Sequence, residues 1–211
     1  MKNINPSSKT ILLYRIVFAG LSWFTIIVGA FINTISSGIP FVWLVSFKYY
    51  TMQTNLMVSI WFTLAIIWYN KPDSLEKIMG SLKGALTLYI TTTFVFFAVL
   101  LQIFYHPTGW AAFSNFILHY VAPIAFIIDW IFTETRKKYK WNYLFYWIIY
   151  PISYLVFSMI HGILIGDYLY PFLDISRLGI LRYLISICFL VGVGILLACL
   201  YIGINRKKFE R

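Results

Sequence analysis

The chain has 211 residues, of which 61% are hydrophobic and 20% aromatic, while only 11% are charged. A soluble domain carries about 25% charged residues. The composition therefore excludes a water-covered surface, and it also excludes a disordered chain, which would be polar and poor in aromatic residues. The net charge of +10 would suggest a nucleic-acid partner in a soluble protein, but the placement of the basic residues argues against one.

Six apolar stretches are long enough to cross the hydrocarbon layer of a bilayer, which takes about 20 helical residues. We predict transmembrane helices over residues 11–36, 49–69, 82–105, 113–133, 142–165 and 178–204. Short segments rich in proline, glycine or charge separate them, as is typical of turns. No repeat or second domain is indicated. The sequence therefore predicts one all-α domain over residues 1–211, a single six-helix bundle with an outward-facing, polar-lined pocket.

The basic residues are distributed unevenly between the two sides that six spans define. Three lie on one side, Lys48, Arg177 and Arg182, and Arg15 lies inside the first span, close enough to its start to snorkel. The other side has thirteen, namely Lys2, Lys9, Lys71, Lys77, Lys83, Arg136, Lys137, Lys138, Lys140, Arg206, Lys207, Lys208 and Arg211. Such an excess marks the cytoplasmic side and favours contact with anionic lipid. We therefore predict that both termini are cytoplasmic.

Polar side chains recur inside two of the predicted spans. The second span has Thr51, Asn55, Ser59 and Thr63, and steps of four place them on one helix face. Such small polar residues often line contacts between membrane helices, which is the simplest explanation. In the fourth span, Asn115 and His119 are also four apart, Pro123 follows one turn later, and Asp129 lies near the cytoplasmic end.

The predicted topology brings further polar groups to the outer half of the membrane. The fifth span has His161 near its outer end, the next loop has Asp167, Tyr170 and Asp174, and the sixth span begins with Arg177 and Arg182. Together with Thr51 and His119, these groups make a shared outward-facing cavity plausible. The alternatives are structural hydrogen bonds for the histidines, and pairing of the two arginines with Asp174 or with lipid phosphate.

The chemistry that remains is that of a hydroxyl with an imidazole. The sequence contains neither a nucleophile elbow nor a metallopeptidase helix, and Cys188 and Cys199 match no metal motif. We therefore predict no metal and no cofactor. A threonine hydroxyl becomes a nucleophile when a base removes its proton, and neutral histidine is such a base near pH 7. This pair suits attack on an ester of an apolar acyl chain, with Asn55, Asn115 or Tyr170 as candidate donors to the oxyanion.

Three segments, taken in order, resemble motifs of a known family. Residues 48–55 (KYYTMQTN), 118–123 (LHYVAP) and 166–173 (GDYLYPFL) resemble the Thr-centred, His-centred and Gly…Tyr-Pro-Phe motifs of bacterial relatives of the androgen-induced membrane hydrolases. The resemblance implies a multi-pass threonine hydrolase of the bacterial plasma membrane. Its nucleophile would be Thr51, its essential histidine His119, and its substrates fatty acid esters of hydroxy fatty acids or similar lipid esters.

Two other functions fit the same composition. One is a small transporter or channel whose polar spans line a path for protons or a solute. The other is a lipid-binding membrane protein without turnover. If the chain is a hydrolase, Lys48, Arg177 and Arg182 are candidates to hold a substrate carboxylate at the outer interface. His161 is a further candidate, as a residue that lines the substrate site.

Overall fold

The computed structural model describes residues 8–71, 81–134 and 138–207. Over these residues the chain is all-α, and six helices are long and apolar enough to cross a membrane. They are α1 Ser8–Ser37, α2 Tyr50–Ile67, α3 Leu82–Phe104, α4 Gly109–Thr133, α5 Tyr143–Ile165 and α6 Ile175–Arg206. The predicted all-α fold with six apolar helices is confirmed, whereas the cytoplasmic placement of both termini stays a prediction.

The helix ends differ from the sequence prediction at three places. A 3-10 helix over Val42–Lys48, which the apolar pattern did not indicate, leads into α2. The fourth helix begins at Gly109, four residues before its predicted start. The sixth begins early because Asp174 caps it, and it bends at Gly179, whose φ of 70° lies in the left-handed region.

Part of the sequence prediction falls outside the described residues. Residues 72–73, in the turn predicted between the second and third spans, and residues 136–137, in the turn predicted between the fourth and fifth, lie outside them. So do six of the basic residues that define the charge bias, namely Lys2, Lys77, Arg136, Lys137, Lys208 and Arg211.

Two helices contain a π turn, in which a backbone N–H bonds the carbonyl five residues back. The turns are Phe97–Leu101 in α3 and Ile117–Val121 in α4. In α4, the N–H of Ala122 donates to the Ile117 carbonyl, and the next residue is Pro123, which has no N–H. Single π turns inside α-helices occur often at functional sites.

The chain divides into two compact units, Met1–Glu134 with α1 to α4 and Thr135–Arg211 with α5 and α6. In the first unit, the rings of Phe62 and Phe126 are 0% exposed and meet edge to face at 5.3 Å, with Trp61 against both. This aromatic layer is the core between α2 and α4. The single bundle expected over residues 1–211 stays a prediction.

The second unit has its own packing. Gly162 on α5 lies so close to the ring of Tyr168 that no side chain fits between them. At the other end of α5, the side-chain oxygen of Asn205 accepts the N–H groups of Lys138 and Tyr139 at 3.0 and 2.9 Å. Large apolar side chains such as Leu164 and Leu181 are exposed, as expected of helices that face lipid.

Candidate active site

The two residues chosen as nucleophile and base are in direct contact. Thr51 lies in the first turn of α2, and His119 lies in the π turn of α4. The hydroxyl oxygen of Thr51 is 3.1 Å from Nε2 of His119, although the residues are 68 positions apart in the chain. Both side chains are partly buried.

The partners of the His119 ring fix the direction of this hydrogen bond. Nδ1 lies 3.1 Å from the backbone carbonyl oxygen of Asn115. Because a carbonyl can only accept, Nδ1 is the protonated nitrogen. In the neutral ring, Nε2 then carries the lone pair, and the Thr51 hydroxyl donates to it. This is the orientation that removal of the hydroxyl proton by a general base requires.

An aromatic ring holds the plane of the imidazole. Phe97, in the π turn of α3, stacks on His119 with ring centroids 3.8 Å apart and planes 22° from parallel. Phe97 is itself buried, and the edge of Tyr120 packs against it. The imidazole is therefore held by the stack on its face and by the Asn115 carbonyl at its edge.

Asn55 links the backbones of the nucleophile and base segments. Its side chain is 0% exposed, and its amide nitrogen donates to the carbonyl of Thr51 at 2.8 Å and to that of Leu118 at 2.9 Å. Both amide hydrogens are thereby committed inside the protein. Among the described residues, its side-chain oxygen has no hydrogen-bond partner. The substrate-binding role of Asn55 stays a prediction, and its observed contacts are those of a link between α2 and α4.

Asn115 contacts the base through its backbone carbonyl, and its side chain makes no such contact. Its carbonyl accepts from His119, and its side-chain oxygen is buried without a hydrogen-bond partner in the described part of the chain. An amide in this position can donate as well as accept. Its predicted role toward the substrate stays a prediction.

A cavity of about 220 Å³ lies in the first unit. Its wall combines hydroxyl groups with aromatic rings, including Thr25, Ser46, Ser114, Trp43 and Trp110. Met52 and Leu118 also line it, and each is the chain neighbour of one member of the hydroxyl–imidazole pair. Thr51 and His119 are not themselves among the lining residues. That the protein has an outward-facing substrate pocket stays a prediction.

The remaining candidates belong to the second unit, where each has a local contact. Nδ1 of His161 donates to the carbonyl of Asp167 at 2.9 Å, which closes the turn after α5. The hydroxyl of Tyr170 is 3.0 Å from that of Tyr154, and Arg182 is exposed. The structure thus brings Thr51, His119, Asn55 and Asn115 together. That His161, Tyr170 and Arg182 share their cavity stays a prediction.

The pairing considered for the two arginines of the second unit is not observed within residues 138–207. No ion pair links Asp174 to Arg177 or Arg182. One carboxylate oxygen of Asp174 instead accepts the backbone N–H groups of Ser176 and Arg177 at 3.0 and 3.2 Å. Asp174 is therefore a helix N-cap, because the first N–H groups of α6 have no partner within the helix.

A cluster of charged residues in the first unit was not foreseen. Asp129 pairs with Nε of Arg15 and with Nζ of Lys83, both at 2.8 Å, and Lys83 is 5% exposed. Both cations also lie over the ring of Trp61. The sequence interpretation had Arg15 snorkel to the lipid interface and counted Lys83 among the basic residues of the cytoplasmic side. The missed signal was Asp129, because a carboxylate inside an apolar helix requires a cationic partner.

Comparisons with protein-family models, with curated proteins and with solved structures found no significant match. The described residues contain no group of three or more potential metal-ligating side chains. Over the described residues, the fold and the site define an all-α protein with six helices long enough to cross a membrane and a partly buried hydroxyl–imidazole pair.

Proposed function

We propose that the protein is an integral membrane hydrolase that cleaves lipid esters, with Thr51 as nucleophile and His119 as base. The observation that supports this most directly is the 3.1 Å contact between the hydroxyl and Nε2. The hydroxyl donates in this hydrogen bond, because the other ring nitrogen, Nδ1, donates to the Asn115 carbonyl.

The proposed reaction has two halves. The oxygen of Thr51 attacks the ester carbonyl carbon while its proton moves to Nε2 of His119. The tetrahedral intermediate then expels the alcohol, which takes the proton from Nε2, and an acyl-threonine remains. Water attacks this acyl group and gives a proton to Nε2. Collapse releases the carboxylic acid, and the proton returns to Thr51.

His119 is cationic between these proton transfers, and the Asn115 carbonyl stabilises that form. The carbonyl accepts from Nδ1 throughout, in the position that a carboxylate occupies in a serine-protease triad. A neutral carbonyl stabilises the imidazolium less than a carboxylate does. The proposed enzyme therefore depends more strongly on the donors to the oxyanion, for which Asn115 is the candidate within the first unit.

The substrate and the membrane orientation are part of the same proposal. The three segments that resemble the threonine hydrolases support fatty acid esters of hydroxy fatty acids, or similar lipid esters, as substrates. The excess of basic residues supports cytoplasmic termini, and in that orientation Thr51 and His119 would lie in the outer half of a bacterial plasma membrane. The mixed polar and aromatic wall of the 220 Å³ cavity is compatible with the end of an amphipathic lipid.

Labelling with an alkyl fluorophosphonate tests the proposal. Purified protein in detergent should form an adduct on Thr51, which mass spectrometry would locate. Thr51→Ser should still react, Thr51→Ala should form no adduct at this position, and His119→Ala should react far more slowly. An adduct on another residue, or equal labelling of the His119 variant, would exclude the proposed pair. A lipid-binding protein without turnover would react with none of these residues and would keep its function in Thr51→Ala.

A transporter is the second candidate, because charged residues inside membrane helices often mark ion pathways. Asp129 with Arg15 and Lys83 is such a group. Proteoliposomes with an imposed pH gradient distinguish the two functions. A hydrolase should leave the gradient intact, and a transporter should dissipate it in a manner that depends on Asp129.

A further inference from the structure

We propose that Asn55 is a positioning residue, which sets the distance between the Thr51 hydroxyl and the His119 ring. The inference rests on the proposed function, because it assigns a task in the same active site. Asn55 itself touches neither of the two reacting atoms. It acts through the backbone carbonyls of Thr51 and Leu118, which belong to the nucleophile and to the residue before the base.

The carbonyl of Leu118 is available because of the π turn in α4. In a regular helix it would accept the N–H of Ala122, but that N–H donates to Ile117. The donor one residue further on would be Pro123, which has none. The Leu118 carbonyl thus lacks both the donor of an α turn and that of a π turn, and the fully buried Asn55 amide supplies a replacement from α2.

One nitrogen that bonds two carbonyls on different helices fixes how far apart those helices are. Both partners can only accept, so the amide nitrogen, and not the oxygen, must face them. The contacts of Asn55 at 2.8 and 2.9 Å hold α2 and α4 at the separation where Thr51 and His119 meet at 3.1 Å. A displacement of about 1 Å between reacting groups costs roughly 100-fold in rate.

The next polar residue along α2 provides a matched control. Ser59 is also 0% exposed, and its hydroxyl donates to the Asn55 carbonyl at 2.8 Å, within its own helix. Ser59→Ala therefore removes a buried hydrogen bond of the same helix without touching the link to α4. A serine at position 55 would keep the bond to Thr51 in the same manner but would be too short to reach Leu118.

The experiment compares Asn55→Ser, Asn55→Asp and Ser59→Ala with the wild type. The first readout is the rate at which the alkyl fluorophosphonate labels Thr51. The second is the ¹⁵N NMR spectrum of histidine-labelled protein, in which the Nε2 resonance of His119 reports its hydrogen bond to Thr51. We expect labelling to slow by about 100-fold in both Asn55 variants, since each loses the link to Leu118. Their Nε2 resonance should move toward that of an unbonded nitrogen, and Ser59→Ala should change neither readout.

Two outcomes would overturn the proposal for Asn55. One is wild-type labelling and an unchanged Nε2 resonance in Asn55→Ser. The other is an equal loss in Ser59→Ala, which would indicate general loosening of α2. If the wild type itself forms no Thr51 adduct, the proposed hydrolase fails. The NMR comparison would still test the positioning role, because it requires no reaction. Should Asn55→Asp fail to fold, the uncharged Asn55→Ser gives the same test.

Discussion

Two buried polar clusters lie at different levels of the first unit, and both include α4, while the cations of the ionic cluster also lie over the ring of Trp61 on α2. Thr51 and Trp61 on α2 are ten residues apart, as are His119 and Asp129 on α4, which corresponds to about 15 Å along each axis. The aromatic layer of Phe62 and Phe126 adjoins the ionic level through Trp61. The ionic cluster is Asp129 with Arg15 and Lys83, and the neutral cluster is Thr51 with His119, Asn55 and Asn115. They differ in charge and also in how many of their hydrogen-bonding groups have a partner.

The charged groups of the ionic cluster are closely paired, although Nε1 of Trp61 beside them has no hydrogen-bond partner among the described residues. Lys83 donates to a carboxylate oxygen of Asp129, to its backbone carbonyl and to the hydroxyl of Thr133, which accounts for its three hydrogens. Arg15 donates to both carboxylate oxygens of Asp129 and to Thr133. Such a set holds α1, α3 and α4 together but leaves its lysine no capacity for a ligand.

The neutral cluster is unsaturated. The Thr51 hydroxyl and the His119 ring share one hydrogen bond, and the side-chain oxygens of Asn55 and Asn115 have no partner in the described residues. Unpaired buried polar atoms cost free energy, and they call for an explanation. The difference supports the proposal that the Thr51 level carries the chemistry, whereas the close charge pairing of the ionic level stabilises the fold.

The largest effect should come from removing the base. His119→Ala should slow labelling of Thr51 by roughly 100- to 10,000-fold, the usual contribution of a general base. The midpoint of thermal unfolding should change far less than in Asp129→Ala. Labelling kinetics and thermal melts of the same detergent preparations check both statements. Fast labelling of a folded His119→Ala protein would assign the chemistry to another group.

Removal of Asp129, the anion of the ionic cluster, should lower the free energy of unfolding more than any other change proposed here. Asp129→Ala leaves the buried Lys83 and Arg15 without their carboxylate, and we expect the free energy of unfolding to fall by about 3–5 kcal/mol. Titration with SDS in mixed micelles would measure this loss. The fraction that remains folded should label Thr51 at the wild-type rate. Slow labelling of that fraction would show that the two levels are coupled.

Removal of the aromatic stack should have an intermediate effect on reactivity. Phe97→Leu keeps apolar volume near the imidazole but loses a ring contact that contributes about 0.5–1.5 kcal/mol. We expect labelling of Thr51 to slow by about 2- to 10-fold, with His119 still bonded to Asn115. Phe62→Leu, in the aromatic layer, is the matched control, and it should destabilise the fold without slowing the folded protein.

The smallest effect should come from removing one cation of the ionic level. Lys83→Met replaces a buried ammonium with an apolar chain of similar length and leaves Arg15 paired one to one with Asp129. Replacing buried charge by apolar volume is often close to neutral, so we expect a change within about 1 kcal/mol. SDS titration beside Asp129→Ala is the measurement. A loss as large as that of Asp129→Ala would mean that each cation is individually required.

The sequence predicted the six helices because the length and apolarity of a membrane span are local properties. The four-residue spacings on α2 and α4 also singled out Thr51, Asn55, Asn115 and His119, which the structure brings together. The sequence did not predict the ionic cluster, because the partners of Asp129 are 114 and 46 positions away in the chain, on other helices. The sequence did not predict the π turns either, since apart from Pro123 no residue type indicates where an α-helix changes to a π turn.

His119 and Asp129 lie on the same helix, so the protein is sensitive to the number of residues between the π turn and Asp129, in addition to their identity. Each α-helical residue rotates the chain by about 100°. Deleting one residue between Ala122 and Asp129 would leave the Thr51 contact in place but turn Asp129 away from Arg15 and Lys83. Inserting one would do the same in the opposite sense. Along this stretch of α4, we therefore expect substitutions to be tolerated far better than any change in length.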